Sequence, residues 1–275
     1  MALGAGNIET MERLLITGAA GMLGTGLRQE LASNATTLRL SDIEPMPPAG
    51  PNEEVIEADI GDLPAVCGLV DGCQGVVHLG GISRENTFET VLHANLRGVY
   101  NVFEAARRHG RPRIFFASSN HAIGFHEREN RLDRSSAYRP DSLYGLSKAY
   151  GELMARYYFD KFGIESVSVR IGSCFPKPMD RRMLATWMSL GDLAALIRKV
   201  FDAPRVGCTM VYGASDNAEK WWDNGHAGFL GWQPQDTSEP WRAELEALPP
   251  MPFDHPAVRF HGGGFAAAGH FEDEE

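Results

Sequence analysis

The chain has 275 residues, 43% of them hydrophobic, enough to bury one large core, and its 26 Lys and Arg against 36 Asp and Glu leave a formal charge of −10. A field of that sign repels nucleic acid and anionic membrane surfaces, and it obliges an anionic small molecule to be held by a local cation. No run of ~18 apolar residues occurs and the first ten residues lack the basic start and apolar stretch of a secretion signal, so a soluble, cytoplasmic protein is expected.

In chain order, "RLLIT" (13–17) reads as a buried strand followed by a helical segment over 22–32. Further apolar runs of strand length follow: "TLRLS", "EVIEA", "GVVHL", "RIFFAS", "ESVSVRI" and "CTMVYG". Helical segments are predicted over 87–108 and 143–162. Short continuous apolar strands alternating with helices predict a parallel sheet covered on both faces, an α/β fold of the Rossmann-type, doubly wound class. A single domain is expected over 12–265, with substrate-binding segments mainly within 172–265 and flexible ends at 1–11 and 266–275.

At the first strand-to-helix turn, "TGAAGMLG" places Gly18, Gly21 and Gly24 where a dinucleotide needs a tight turn and backbone without Cβ atoms. Met22 and Leu23 lie in the same loop, where the backbone makes the phosphate contacts. The second strand ends in Asp42 and Ile43. A carboxylate there accepts hydrogen bonds from ribose hydroxyls and repels a 2′-phosphate, which favours NAD over NADP. Asp59 and Ile60 follow the third strand near the expected adenine. Leu79, Gly80 and Gly81 end the fourth, where backbone passes close to the cofactor. Arg39 and His78, inside strands, are read as packing residues.

The fifth strand ends abruptly in Ser118, Ser119, Asn120 and His121, four polar residues at the sheet edge where ligands bind. A helix follows Pro140, with Asp141 or Ser142 as its cap, and carries Tyr144 and Lys148 four apart on one face. A phenol ordinarily titrates near ~10, so a base near neutrality needs the neighbouring ammonium and an oxidised nicotinamide to favour the phenolate. Ser119 is positioned to hydrogen-bond the reacting oxygen. Cys67, Cys73, Cys174 and Cys208 form no CxxC pair and no ligand spacing with the nine histidines, so they are expected to be reduced and no metal is expected. Trp187, Trp221, Trp222 and Trp232 are read as packing, and Met179, Met183 and Met188 as gap-fillers over the pocket.

Taken together, TGxxGxxG, Asp42, "HLGG", "NLRGVYN", the serine-bearing strand and YxxxK resemble an extended-type short-chain dehydrogenase/reductase over nearly the whole chain. The strings "HLGGIS", "FASSNHAIG", "LYGLSK", "VRIGSC", "RMLATW", "WWDN" and "FLGW" narrow the resemblance to the uronate dehydrogenases. That resemblance implies Tyr144 as base, Lys148 as its support, and uronate contacts from Ser83, Ser119, Asn120, His121, Ser173 and Arg182. It also implies that Asn95 holds a helix irregularity and that the chain forms a homo-oligomer.

The reaction implied is oxidation of C1 of D-galacturonate or D-glucuronate by NAD to an aldarolactone. Arg182 fits the sugar carboxylate because a guanidinium can grip it through two parallel bonds; Arg181 competes for that role. Two other readings are a sugar-nucleotide epimerase or dehydratase of the same superfamily, disfavoured by the short segment after the sixth strand, and a non-catalytic NAD-binding regulator.

Overall fold

A computed structural model describes residues 11–271. Residues 1–10 and 272–275, which make up most of the two ends expected to be flexible, lie outside the described residues.

Seven strands form one wholly parallel sheet in the order β3-β2-β1-β4-β5-β6-β7. They are β1 (Met11–Thr17), β2 (Ala35–Asp42), β3 (Glu53–Glu57), β4 (Gly75–His78), β5 (Arg113–Ser119), β6 (Ser166–Ile171) and β7 (Cys208–Gly213). The strand order reverses between β1 and β4, and the carboxyl ends of strands flanking such a reversal leave a crevice for a ligand. Each of the seven strands falls on an apolar run predicted from the sequence.

Successive strand residues face opposite sides of the sheet, and both sides are buried. Leu14, Ile16 and Phe115 pack into one core with α1 (Met22–Glu30) and α7 (Leu190–Asp202). Leu15, Ile114 and Phe116 pack into the other with α2 (Leu63–Val70), α4 (Gly98–Arg108) and α5 (Leu143–Phe162). A third cluster of Ile123, Leu132, Tyr212, Trp221 and Trp222 lies under the loops beyond the carboxyl edge.

Two expected elements differ in detail. The segment expected as one helix over 87–108 is α3 (Phe88–Val91), a π-helical stretch Leu92–Arg97, and α4. The widened turn carries buried Asn95, whose carboxamide accepts from Ile82 N (2.7 Å) and donates to Ile82 O (3.0 Å) and to Ser147 Oγ (2.8 Å). The irregularity therefore ties the loop after β4 to α5. At the carboxyl end, α10 (Gly264–Ala267) runs across the expected boundary at 265, and Ala266 is buried.

Candidate active site

The glycine turn is fixed by close approach. Gly18 has φ +72°, and a Cβ there would stand 2.7 Å from Gly80 N; a Cβ on Gly24 would stand 2.2 Å from Gly18 O. These three glycines let β1, α1 and the end of β4 meet at the strand-order reversal. Gly21 is the N-cap of α1 and no side chain caps the helix, which leaves first-turn amides for an anion. Asp42 closes the turn from the side: Oδ2 accepts from Ala20 N (2.9 Å) and Oδ1 from Glu44 N (3.1 Å). The fit to a dinucleotide is thus steric and electrostatic, a cradle that a Cβ would fill below a helix N-terminus.

The remaining residues expected at the cofactor take varied positions. Met22 and Ile43 are exposed apolar side chains, whereas Leu23 and Leu79 pack partly against the core. Asp59 accepts from Gly61 N (2.7 Å) and pairs with His93 Nε2 (2.8 Å), and Ile60 is buried under Gly80 and Gly98. Gly81 has φ +129° and packs against Asn95 Oδ1.

Ser142 is the N-cap of α5, accepting from Gly145 N (2.9 Å), so of the two expected caps it is Ser142 that serves. Tyr144 and Lys148 then project from the same buried face. Burial pushes the Tyr144 phenol up to about 12, a hydrogen bond with Ser119 draws it down, and the Asp141 charge raises it. Burial pushes the Lys148 ammonium down to about 8. Its Nζ donates to Ala117 O (2.8 Å) and lies 5.5 Å from the Tyr144 ring centroid. Without added positive charge nearby, the phenol stays protonated at neutral pH.

The polar end of β5 divides. Ser119 Oγ accepts from His121 N (3.2 Å) and bonds the phenol. Ser118, expected beside the nicotinamide, instead donates to Glu152 Oε1 (2.6 Å), which pairs with Arg170 in a buried network. Adjacent strand residues point to opposite faces, so the two serines could not both reach the site. His121 Nδ1 meets Asp141 Oδ2 at 2.8 Å, and the ring lies against Phe265 with centroids 3.9 Å apart and edge-on to Tyr144.

Asn120 is fully buried rather than open to a ligand. In the orientation that satisfies both ends of its carboxamide, the oxygen accepts from Arg182 Nη2 (2.6 Å) and the nitrogen donates to Ile171 O and Gly172 O (both 3.1 Å). It therefore aims Arg182. Arg182 also donates from Nη1 to Ser173 Oγ (3.1 Å) and from Nε to His261 O (2.7 Å). Among the described residues Arg182 forms no ion pair, and burial draws its guanidinium below the ordinary value. Arg181 turns away, donating to Leu245 O and Leu248 O. Ser83 is exposed and has no hydrogen-bond partner among the described residues.

Two contributors escaped sequence reasoning. Glu85 accepts from Leu143 N and Tyr144 N (both 2.9 Å), hooking the loop after β4 onto the start of α5. The segment "HGGGF" (261–265), to which no site residue was assigned from sequence, supplies the His261 carbonyl and the Phe265 ring. Its signal was the glycine triplet before an aromatic residue. The packing expectations are met by His78, which is buried against Phe116, and by Trp187, Trp221 and Trp222, which are buried. Met188 lies in the core and Met179 is exposed, so only Met183 is placed as a filler near Arg182. Among the described residues no cluster suits a metal ion and no helix is long and apolar enough to cross a membrane.

Residues 14–191 match the NAD dependent epimerase/dehydratase family. A uronate dehydrogenase of Pseudomonas putida is 55% identical over 260 residues, covering 94% of this chain and 97% of that protein. A solved glucuronic acid dehydrogenase from Chromohalobacter salexigens is similar at TM-score 0.94 and 52% identity, over 96% of this chain and 99% of that one. A mutant of uronate dehydrogenase from Agrobacterium tumefaciens, solved in complex with NAD, superimposes at TM-score 0.92 with 53% identity, over 94% and 98%.

Proposed function

The chain belongs to the uronate dehydrogenases of the NAD dependent epimerase/dehydratase family, and on that premise we propose that it oxidises C1 of D-galacturonate or D-glucuronate to the aldarolactone. The observation that carries this reading is the half-buried Arg182. Three of its five N–H donors are engaged by neutral oxygens, two remain, and among the described residues no carboxylate forms an ion pair with it, Asp180 and Asp141 acting only from a distance. A partly desolvated cation without an ion pair is costly, and the carboxylate of a uronic acid would relieve that cost through two parallel bonds.

Gly18, Gly21, Met22, Leu23 and Gly24 would hold the pyrophosphate and Asp42 the adenosine ribose, with Ile43, Asp59, Ile60, Leu79, Gly80 and Gly81 completing the site. The chemistry that NAD+ supplies when bound is hydride acceptance. Tyr144 Oη takes the proton of the anomeric hydroxyl, and the Lys148 ammonium one turn along α5 favours the phenolate. Ser119 Oγ orients that hydroxyl, while Ser173 and Asn120 keep the guanidinium of Arg182 in place. Ser83 and His121 have open polar atoms for the remaining sugar hydroxyls. An oxidised nicotinamide, when bound, would supply positive charge that lowers the Tyr144 phenol, which burial raises to about 12.

The deciding assay follows NADH absorbance with NAD or NADP against uronates and neutral aldoses. Rapid NAD reduction by uronates alone is expected; equal rates with neutral aldoses would remove the role of Arg182. Thermal stabilisation by UDP-sugars, expected of a sugar-nucleotide epimerase, is not expected here.

The exposed Leu146, Leu153 and Tyr157 recur at helical spacing along α5, with Tyr100 exposed on α4. They suit a second copy of the chain, making a homo-oligomer that solution scattering would reveal as a multiple of 30.2 kDa. A single domain over 12–265 and a cytoplasmic location complete the reading.

A further inference from the structure

We infer that Asp141 is a positioning residue for this reaction: its carboxylate fixes His121 with hydrogen on Nδ1, so that Nε2 meets a sugar hydroxyl as an acceptor. The inference rests on the uronate oxidation proposed above and assigns Asp141 a place in it.

Asp141 sits just before α5 with its side chain wholly buried. A Cβ on Gly124 or on Gly262 would stand 1.8 Å from its Oδ2, so the carboxylate fills a slot that two glycines leave open. One glycine belongs to the turn after β5 and the other to the "HGGGF" segment. Oδ2 meets His121 Nδ1 at 2.8 Å, while Oδ1 is 2.9 Å from Ser142 Oγ. Ser142 Oγ already accepts from Gly145 N, so its own proton goes to Oδ1. A carboxylate can only accept, so opposite Oδ2 the ring hydrogen belongs on Nδ1.

His121 Nε2 has no hydrogen-bond partner among the described residues and is not sealed from solvent, so it is free to accept from a ligand. The Phe265 ring, 3.9 Å away between centroids, fixes the imidazole plane. The neighbouring groups give this acceptor its purpose. Arg182 can only donate and the Asn120 carboxamide is fully engaged, so a sugar hydroxyl that must donate has few acceptors on this side. The same logic governs a carboxylate that orients a histidine in hydrolases, where the wrong tautomer costs activity although the geometry survives.

The test labels histidine rings with nitrogen-15 and compares the wild-type enzyme with Asp141→Asn. In the wild type, His121 should report hydrogen on Nδ1; hydrogen on Nε2 in the neutral ring would overturn the inference without any variant. In Asp141→Asn the amide oxygen stays on Ser142, whose proton has no other acceptor among the described residues, and the NH2 turns to Nδ1. The ring hydrogen should then move to Nε2, KM for uronate should rise ~10-fold, and NAD affinity should stay unchanged. Adding Asp141→Asn to His121→Ala should cause no further loss, because Asp141 acts through that ring. An unmoved ring hydrogen, or a loss that adds in the double variant, refutes the positioning role. Absence of uronate oxidation in the wild type would instead refute the proposed reaction, and the ring-nitrogen signals would still report the tautomer.

Discussion

Single side chains in this site are set by burial more than by neighbouring charge. Tyr144 is raised to about 12 and Lys148 lowered to about 8, both chiefly because a charge is costly in their surroundings. Tyr144→Phe should therefore lower kcat by ~10²-fold or more while leaving NAD affinity intact, as titration of cofactor fluorescence against turnover would establish. Arg182→Ala should raise uronate KM by ~10²-fold, the loss of a charge-assisted pair, with NAD binding spared; steady-state kinetics distinguish the two. Lys148 also makes a stability prediction. Its folded value of about 8 lies below the ordinary 10.5, so between those pH values the unfolded chain holds a proton the folded enzyme has released. Stability should rise with pH across that window, offset above pH 10 as Tyr144 holds its proton more tightly in the fold. Lys148→Met should flatten the rise in Tm.

At the scale of elements, α5 carries Tyr144 and Lys148, the proposed base and its support, and is held at its start by two separate devices. Ser142 caps Gly145 N, and Glu85 reaches from the loop after β4 to two first-turn amides. Ser142→Ala should cost ~1 kcal/mol in thermal unfolding, an ordinary cap loss. Glu85→Ala should cost at least as much and also lower kcat, because it releases the loop bearing Ser83 and the first turn bearing Tyr144 together. Equal kcat for the two variants would show that loop and helix are independent. The cap was legible in the sequence to within one residue, Asp141 or Ser142. Glu85 was not, because its hydrogen bonds span nearly sixty residues of chain and no local spacing encodes them.

Across the whole molecule, two cores sandwich one parallel sheet and the loops beyond its carboxyl edge carry the chemistry. Burial holds His78 down to about 3 and His261 down to about 4, against an ordinary 6.5. Below pH 6.5 the unfolded chain protonates both rings while the folded protein keeps them neutral, so stability should fall as pH drops from 6.5 toward 4. His261→Asn should make Tm less steep over that range, in a segment that also carries the carbonyl holding Arg182.

The sequence by itself determined the parallel sheet, the glycine turn with Asp42, the Tyr144 and Lys148 pair, and the family. These rest on periodicity and short-range spacing, which are properties of neighbouring residues. Only the tertiary structure decided that Ser118 belongs to Glu152, that Asn120 is spent on Arg182, and that Arg182 faces Ser173 and Asn120 while Arg181 turns to the carbonyls of Leu245 and Leu248. It also brought Asp141 and Phe265 against His121. The physical reason is that a buried polar group takes whichever partner folding delivers, and here the partners come from strands and loops far apart along the chain.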